Sequence, residues 1–324
     1  MDAIKLDVKD RKILFELEKD ARQSNKSIAR KVGLNTDLVR YRIDRLKREG
    51  VISWFLTFVN FAKLGLTDYG VYFTTQKLTR KREDEMINYL TNHKQVSYFS
   101  KLGGKYDFMI GILAKDVLQF NDILSEITDK LGAYISSKDI AIRIVLFHFS
   151  KNYLVGTKEM KGELPHFGGK VETVELDELD RKILNRISTD ARLDIIDLAR
   201  ELNTPSSTIA LRIKKMREKK VIEGFFTWIN SQSYGFQNYE LMLALKNMSK
   251  TEENKFYGFC KQHPNIVYAM KTVGKWDYEL GIEVPNQERY QEVLSEIREN
   301  FSEFITNMEF VTIFKHIKYN LYPF

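Results

Sequence analysis

The 324-residue chain has a single cysteine, Cys260. No disulfide can form within it, which suits a reducing, cytoplasmic setting. Long apolar runs are missing as well. No segment approaches the roughly 18 uninterrupted apolar residues that span a bilayer, and the first fifteen residues are charged rather than built around an apolar signal core. A soluble protein without a membrane partner is expected. Neither a Gly-rich phosphate loop nor a nucleophile elbow is present. Cys260 and His263 stand three apart on an expected helix, but two ligands without a second pair rarely make a zinc site. No catalytic residue, metal or cofactor is expected.

What the chain does have is basic charge, with a formal net charge of +7, and a repeat. LDVKDRKIL beginning at Leu6 returns as LDELDRKIL beginning at Leu176, and the offset of 170 holds without a gap through DAR at Asp20 and Asp190, Val51 and Val221, Gly65 and Gly235, and LSEI at Leu124 and Leu294. About a quarter of aligned positions are identical, which marks a tandem duplication. Between the copies, residues 154–170 include four glycines and one proline without periodicity. They read as a linker whose full extension is about 55 Å.

The first third of each copy predicts three helices. Asp7 and Asp10 form an acidic cap before Ile13, Leu14 and Leu17. Ser24 can cap a second helix with Ile28, Ala29 and Val32 inward, and Asn35 caps a third with Val39, Ile43 and Leu46 inward. Gly50 stops that helix, and VISWFLTFVN reads as a wing or connecting strand. A tight turn before the third helix and a strand after it describe a winged helix-turn-helix. On its third helix Asp37, Tyr41 and Arg45 point away from the core, with Arg40 and Arg42 on the flanks. In such a unit that helix enters the major groove of double-stranded DNA. Residues 11–50 contain 12 basic and 6 acidic side chains, and residues 181–220 contain 11 and 5, so each segment carries +6 and the rest of the chain sums to −5. The positive charge sits where phosphate contact is expected. The candidate DNA-contacting residues are Thr36, Asp37, Arg40, Tyr41, Arg42 and Arg45 in the first copy. In the second they are Ser206, Ser207, Thr208, Arg212, Lys214 and Lys215.

The remaining two thirds of each copy run β-α-β-β-α-β, a ferredoxin-like unit with helices on one sheet face and the other face free for assembly, so a sheet-to-sheet dimer is expected. The overall class is therefore α+β. Boundaries fall at 1–60 and 61–153 for the first winged helix-turn-helix and βαββαβ unit, 154–170 for the linker, and 171–230 and 231–324 for the second pair. The turns GGKYD and VGKWD set Gly104, Asp107, Gly274 and Asp277 in register. Chemically they are either structural, with glycine supplying positive φ and aspartate closing the turn, or a cradle for a small zwitterion.

The succession LDxxDxxIL, DAR, an alanine-centred second helix, Arg-Ile in the third, Gly-Val-Ile, and then βαββαβ with Gly-x-x-Asp resembles the Lrp/AsnC family of transcription regulators, twice over. The resemblance implies DNA binding through the winged helix, with dimer and higher assembly through the second unit. It also implies modulation by an amino acid or other small effector at the turns, here Gly103, Gly104, Asp107, Gly274 and Asp277. Two copies in one chain could form an internal pseudo-dimer reading two unequal half-sites. The second copy departs from the first: Asn203, Thr204 and Lys220 replace Gly33, Leu34 and Gly50, Ser207 and Leu211 replace Asp37 and Tyr41, and Val273 replaces Gly103. Pro205 is expected to open its third helix with Thr204 as cap. Two other classes compete: an enzyme resembling the sirohaem decarboxylases, which share the fold as unlike pairs, and an effector sensor or assembly protein that no longer binds DNA.

Overall fold

Asp7 accepts the Asp10 amide at 2.8 Å while Asp10 accepts the Asp7 amide at 3.1 Å. This reciprocal capping box opens α1 (Val8–Lys19). The echo behaves alike, with Asp177 and Asp180 capping α6 (Glu178–Thr189). The structure, a computed structural model, describes residues 3–156, 165–246, 248–322 and 324. Residues 157–164 of the expected linker lie outside them.

Ser24 and Asn35 cap α2 (Asn25–Val32) and α3 (Thr36–Arg48), each accepting a backbone amide three residues on. The second copy repeats the trio with α7 (Ile195–Glu201) and α8 (Ser206–Glu218). Gly33 and Gly50 take left-handed conformations at φ 67° and 74°, and their replacements Asn203 and Lys220 keep that turn at φ 48° and 58°. One expectation shifts. Pro205 stands just before α8, which starts at Ser206, and the Thr204 hydroxyl donates to the Leu202 carbonyl at 3.0 Å instead of capping.

The expected wing is a joint between copies. β1 (Ile52–Val59) and β7 (Ile222–Ile229) pair antiparallel with each other, Phe55 opposite Thr227. Each strand lies on the first helix of the other copy: the Thr57 hydroxyl donates to the Ile187 carbonyl at 2.6 Å, and Thr227 to Leu17 at 2.9 Å.

The βαββαβ order is as expected. It runs β2 (Thr67–Thr75), α4 (Arg80–Asn92), β3 (Val96–Gly104), β4 (Phe108–Ala114), α5 (Val117–Leu131), β5 (Ile135–His148). After a short strand β6 (His166–Gly168) and the second helical trio, it runs again as β8 (Gln237–Leu245), α9 (Lys250–Gln262), β9 (Ile266–Gly274), β10 (Tyr278–Val284), α10 (Gln287–Phe301), β11 (Ile305–Tyr319). The sheets do not stack face to face. Their strands join edge to edge in the order β2-β4-β3-β11-β8-β10-β9-β5, and β5 returns to β2, closing an eight-stranded antiparallel barrel. The reason lies in strand length. β5 and β11, of 14 and 15 residues, outlast their own units: β5 pairs with β2 through Asp68↔Arg143 and then with β9 through His148↔Tyr268. β11 likewise passes from β8 to β3. Closure removes the free edges that an open sheet leaves exposed. β6 adds to β5 through Leu146↔Phe167, so the end of the expected linker is strand.

Helices α4 and α5 cover the outside of the first copy's strands, burying Met86, Leu90, Phe120 and Ile123 against Phe99 and Ile110. Helices α9 and α10 do the same for the second copy through Phe256, Cys260, Val293 and Ile297. Each such Val, Leu, Ile, Phe or Met side chain contributes about 1.5–3 kcal/mol of burial. The faces expected to be free turn inward and line the barrel. Among the described residues no helix is long and apolar enough to cross a membrane.

Candidate functional site

The outward faces of α3 and α8 carry the residues expected to read DNA. On α3, Asp37, Arg40 and Tyr41 are exposed and Thr36 is half-buried. On α8, Ser207, Lys214 and Lys215 are exposed, while Ser206 and Thr208 are half-buried. Leu211, 50% exposed, stands where α3 presents Tyr41 at 57%, so the two helices offer unlike surfaces at the same station.

Three of the expected arginines are engaged within the protein. Arg42 donates to Asp7 and Asp10, both at 2.7 Å, and Arg45 pairs with Asp10 at 2.6 Å. Arg212 repeats the arrangement, donating to Asp177 at 2.5 Å and Asp180 at 3.4 Å. Hydrogen bonds to these carboxylates raise the pKa of Arg42 and of Arg212. The capping acids of the first helix thus clamp the third. Arg42, Arg45 and Arg212 are placed to orient the outward helix rather than stand free on its surface.

Sequence reasoning missed what Arg22 and Arg192 of the two DAR motifs do. Arg22 donates to the carbonyls of Ala191 at 2.7 Å and Leu193 at 3.2 Å. Arg192 answers by donating to Ala21 at 2.5 Å and Gln23 at 3.1 Å, and reaches Asn25 at 2.8 Å. Burial draws both guanidinium pKa values down. Ala21 and Ala191 also donate backbone amides to Phe225 and Phe55 of the opposite strands. The two helical trios are therefore locked by the same motif used in both directions. Two identical arginines at the repeat offset, each opening a loop, were the available signal.

The glycine-aspartate turns are spent internally. Asp107 accepts the Thr75 amide and hydroxyl, both at 2.7 Å, and Asp277 accepts the Leu245 amide at 2.7 Å. Each aspartate ties its hairpin to the end of a neighbouring strand. A side chain on Gly103 would run into the Phe314 ring, and one on Gly274 would meet the Ile140 carbonyl oxygen at 2.8 Å. Gly104 (φ 108°) and Gly274 (φ 144°) both take positive φ. The five residues grouped in the sequence as an effector cradle thus form turn and seam in this geometry. Between glycine and aspartate, Tyr106 and Trp276 enter one end of the barrel, with ring centres 5.4 and 5.0 Å from Tyr72, and plug it.

Behind that plug lies a buried ionic cluster. Arg143 donates to Glu279 at 3.0 and 2.8 Å and to Asp68 at 3.4 Å, while Glu240 accepts the Tyr72 hydroxyl at 2.6 Å. Between the cluster and the β1–β7 ribbon is a cavity of about 100 Å³, walled on the ribbon side by Phe58, Phe226 and Trp228. Cys260 and His263 hold no metal-like set: the Cys260 thiol is buried, which pushes its pKa up, and His263 lies 3.0 Å from Glu296. No group of three or more metal-ligating side chains occurs among the described residues.

A winged helix-turn-helix DNA-binding family model matches residues 6–53 and again 176–223. The chain is 34% identical over 104 residues to the HTH-type transcriptional regulator Ptr1 of Methanocaldococcus jannaschii, covering 32% of this chain and 68% of that protein. It is 27% identical over 127 residues to the leucine-responsive regulatory protein of Rhizobium meliloti, covering 39% of this chain and 81% of that one. Across both copies at once, its fold is similar to that of the siroheme decarboxylase NirDL, with a TM-score of 0.60 over 96% of this chain and 93% of that chain at 11% identity. The two matched helical segments and these relatives converge: the chain belongs to the Lrp/AsnC family of transcription regulators, as two units in one polypeptide.

Proposed function

We propose that the chain is a sequence-specific DNA-binding transcription regulator of the cytoplasm that reads two unlike half-sites with α3 and α8. The observation that carries this is the reciprocal arginine lock, which holds two outward helices of different chemistry in one frame. Asp37 and Tyr41 on one helix, and Ser207, Thr208 and Leu211 on the other, meet base edges. Arg40, Lys214 and Lys215 grip phosphate, while Arg42, Arg45 and Arg212 set the helix angle from behind. Further copies meet through the exposed strand residues Phe310, Phe314, Ile144 and Val273. An amino acid held at Gly103, Gly104, Asp107, Gly274 and Asp277 would meet carboxylates that already accept backbone amides.

The enzyme reading fits less well. A cavity of about 100 Å³ is below the roughly 300–1,000 Å³ of ordinary small-molecule sites, and a tetrapyrrole needs more still. The test is fluorescence anisotropy with DNA selected from a random pool. Affinity should fall steeply with salt, and Arg40→Ala, or Lys214→Ala with Lys215→Ala, should flatten the log–log slope by about 1 for each phosphate no longer held. Binding that ignores salt would refute the proposal.

A further inference from the structure

We propose that the barrel interior is a binding site for a small alkylammonium cation, held by the carboxylates of Asp68, Glu240 and Glu279 and walled by the aromatic rings around Trp228. The site is separate from the DNA-reading surface. Four carboxylates line the cavity, Asp68, Glu240, Glu279 and Glu283, against two cations, Arg143 and Lys151. All six are at most 7% exposed. Lys151 pairs with Glu283, which leaves one guanidinium among three acids. That arrangement is short of positive charge. The shortage has an address: Oδ1 of Asp68 is buried with no hydrogen-bond partner, although its side chain lines the space. A buried carboxylate oxygen left unpaired keeps its full desolvation penalty, which an ammonium donor placed there would remove.

The walls suit the apolar part of such a ligand. Trp228 stands 4.6 Å from the His316 ring and 5.0 Å from Tyr319, and Tyr98 lies 5.8 Å from Tyr319. The negative faces of aromatic rings attract a cation, and more strongly once water is excluded. The space, about 100 Å³, is two thirds of the roughly 150 Å³ that admits benzene in an engineered apolar cavity, so a body of about four carbons fits.

The lining also breaks the repeat. At the offset of 170, Arg143 corresponds to Ile313, Glu240 to Gly70, Glu279 to Met109, Asp68 to Asn238, and Glu283 to Leu113. The mate of every ionisable group in the cluster is neutral. Room is made for it as well: a side chain on Gly70 would meet the Arg143 guanidinium at 3.1 Å. The first copy contributes Asp68 and Arg143 and the second Glu240, Glu279 and Glu283, so the two halves of the barrel bring unlike groups to the cavity.

Titration supports the geometry. Burial pushes Asp68 up to about 6, and burial together with the charge of Glu279 pushes Glu240 up to about 8. The facing groups are Arg143 and His148 on β5, Lys151 beyond its end, Glu279 and Glu283 on β10, Tyr98 on β3, Tyr268 on β9, and His316 and Tyr319 on β11. Burial keeps the tyrosines protonated and holds His316 neutral at about 3. Near neutral pH Asp68 and Glu240 change protonation, and an entering cation displaces a proton from them.

Isothermal titration of the full chain with isobutylamine, isobutanol and isovalerate tests this. The amine should bind one to one and at least tenfold tighter than either comparator. Its heat should differ between phosphate and MOPS buffers because a proton is released, and its affinity should rise several-fold from pH 6 to pH 8. Asp68→Asn and Glu240→Gln should each weaken it about tenfold. A carboxylate variant can fail to fold, so the wild-type series decides alone: equal affinity for the alcohol or the acid, or no saturable heat at any pH from 6 to 8, overturns the proposal.

Discussion

Truncating Arg22 to alanine removes two charge-assisted hydrogen bonds that cross between the copies, at 2.7 and 3.2 Å, and strips the guanidinium from the face of Phe225, 5.3 Å away. Hydrogen bonds with a charged donor contribute about 1.5–3 kcal/mol each where they are buried. Partial solvent access at Arg22 brings the total down, so a loss of about 2 kcal/mol is expected. Arg192→Ala breaks hydrogen bonds to Ala21, Gln23 and Asn25 and should cost as much. Because the two arginines face each other across one seam, the double variant should lose less than the sum of the two. The assay is urea denaturation followed by circular dichroism, alongside DNA affinity on an oligonucleotide holding both half-sites and on one holding a single half-site. The variants should lose affinity for the paired site by tenfold or more while keeping the single-site affinity, since each helix is intact and only their spacing is released. Lys cannot fork across two carbonyls, so Arg22→Lys should recover under half of the loss. Stability within 0.5 kcal/mol of the parent, or equal losses on both oligonucleotides, would refute the lock.

Lys220→Gly should stabilise the protein by about 1 kcal/mol, because glycine takes the left-handed turn at φ 58° without the strain a side chain meets there, and the melting temperature reads it. Arg143→Met leaves three buried carboxylates around an apolar side chain and should cost about 3–5 kcal/mol in denaturant titration at pH 8. The native carboxyl of Glu240 binds its proton more tightly than an unfolded one does, with a pKa of about 8. Its contribution is therefore fully present below the unfolded pKa near 4.5 and is lost as pH rises towards 8. Glu240→Gln should flatten that decline, and paired denaturation curves at pH 5 and pH 8 check it. Mixing the protein with sirohaem should leave the pigment's absorption spectrum unchanged.

The local grammar of this chain is legible because caps and periodicities act over three or four residues. The capping boxes at Asp7 and Asp177, the Asn35 cap and the β-α-β-β-α-β order are all visible as sequence spacing. Closure of the barrel is not, since it depends on β5 and β11 running past their own sheets into strands more than a hundred residues away. A basic residue on an amphipathic helix looks the same whether it faces solvent, like Arg40, or an acid from another helix, like Arg42. The aspartates of the two turns were equally ambiguous until Thr75 and Leu245 supplied their partners. The interior cluster did leave a trace: Arg143 within IAIRIVLFHF and Glu240 within NYELMLAL are charges set into apolar strand runs. Such charges in a half-buried strand call for a partner, and only the fold says which.

Barrel closure has a consequence for how the chain comes into being. When the first copy leaves the ribosome, β3 lacks β11, the far half of β5 lacks β9, and β1 lacks β7. Three strand edges wait for residues made last, and their pairing carries the large loop-closure entropy of contacts far apart in sequence. During that interval the first copy offers the edges by which it could capture another nascent chain. Joining both copies in one polypeptide raises the local concentration of the right edge, so synthesis itself selects the partner within the chain over the one beside it.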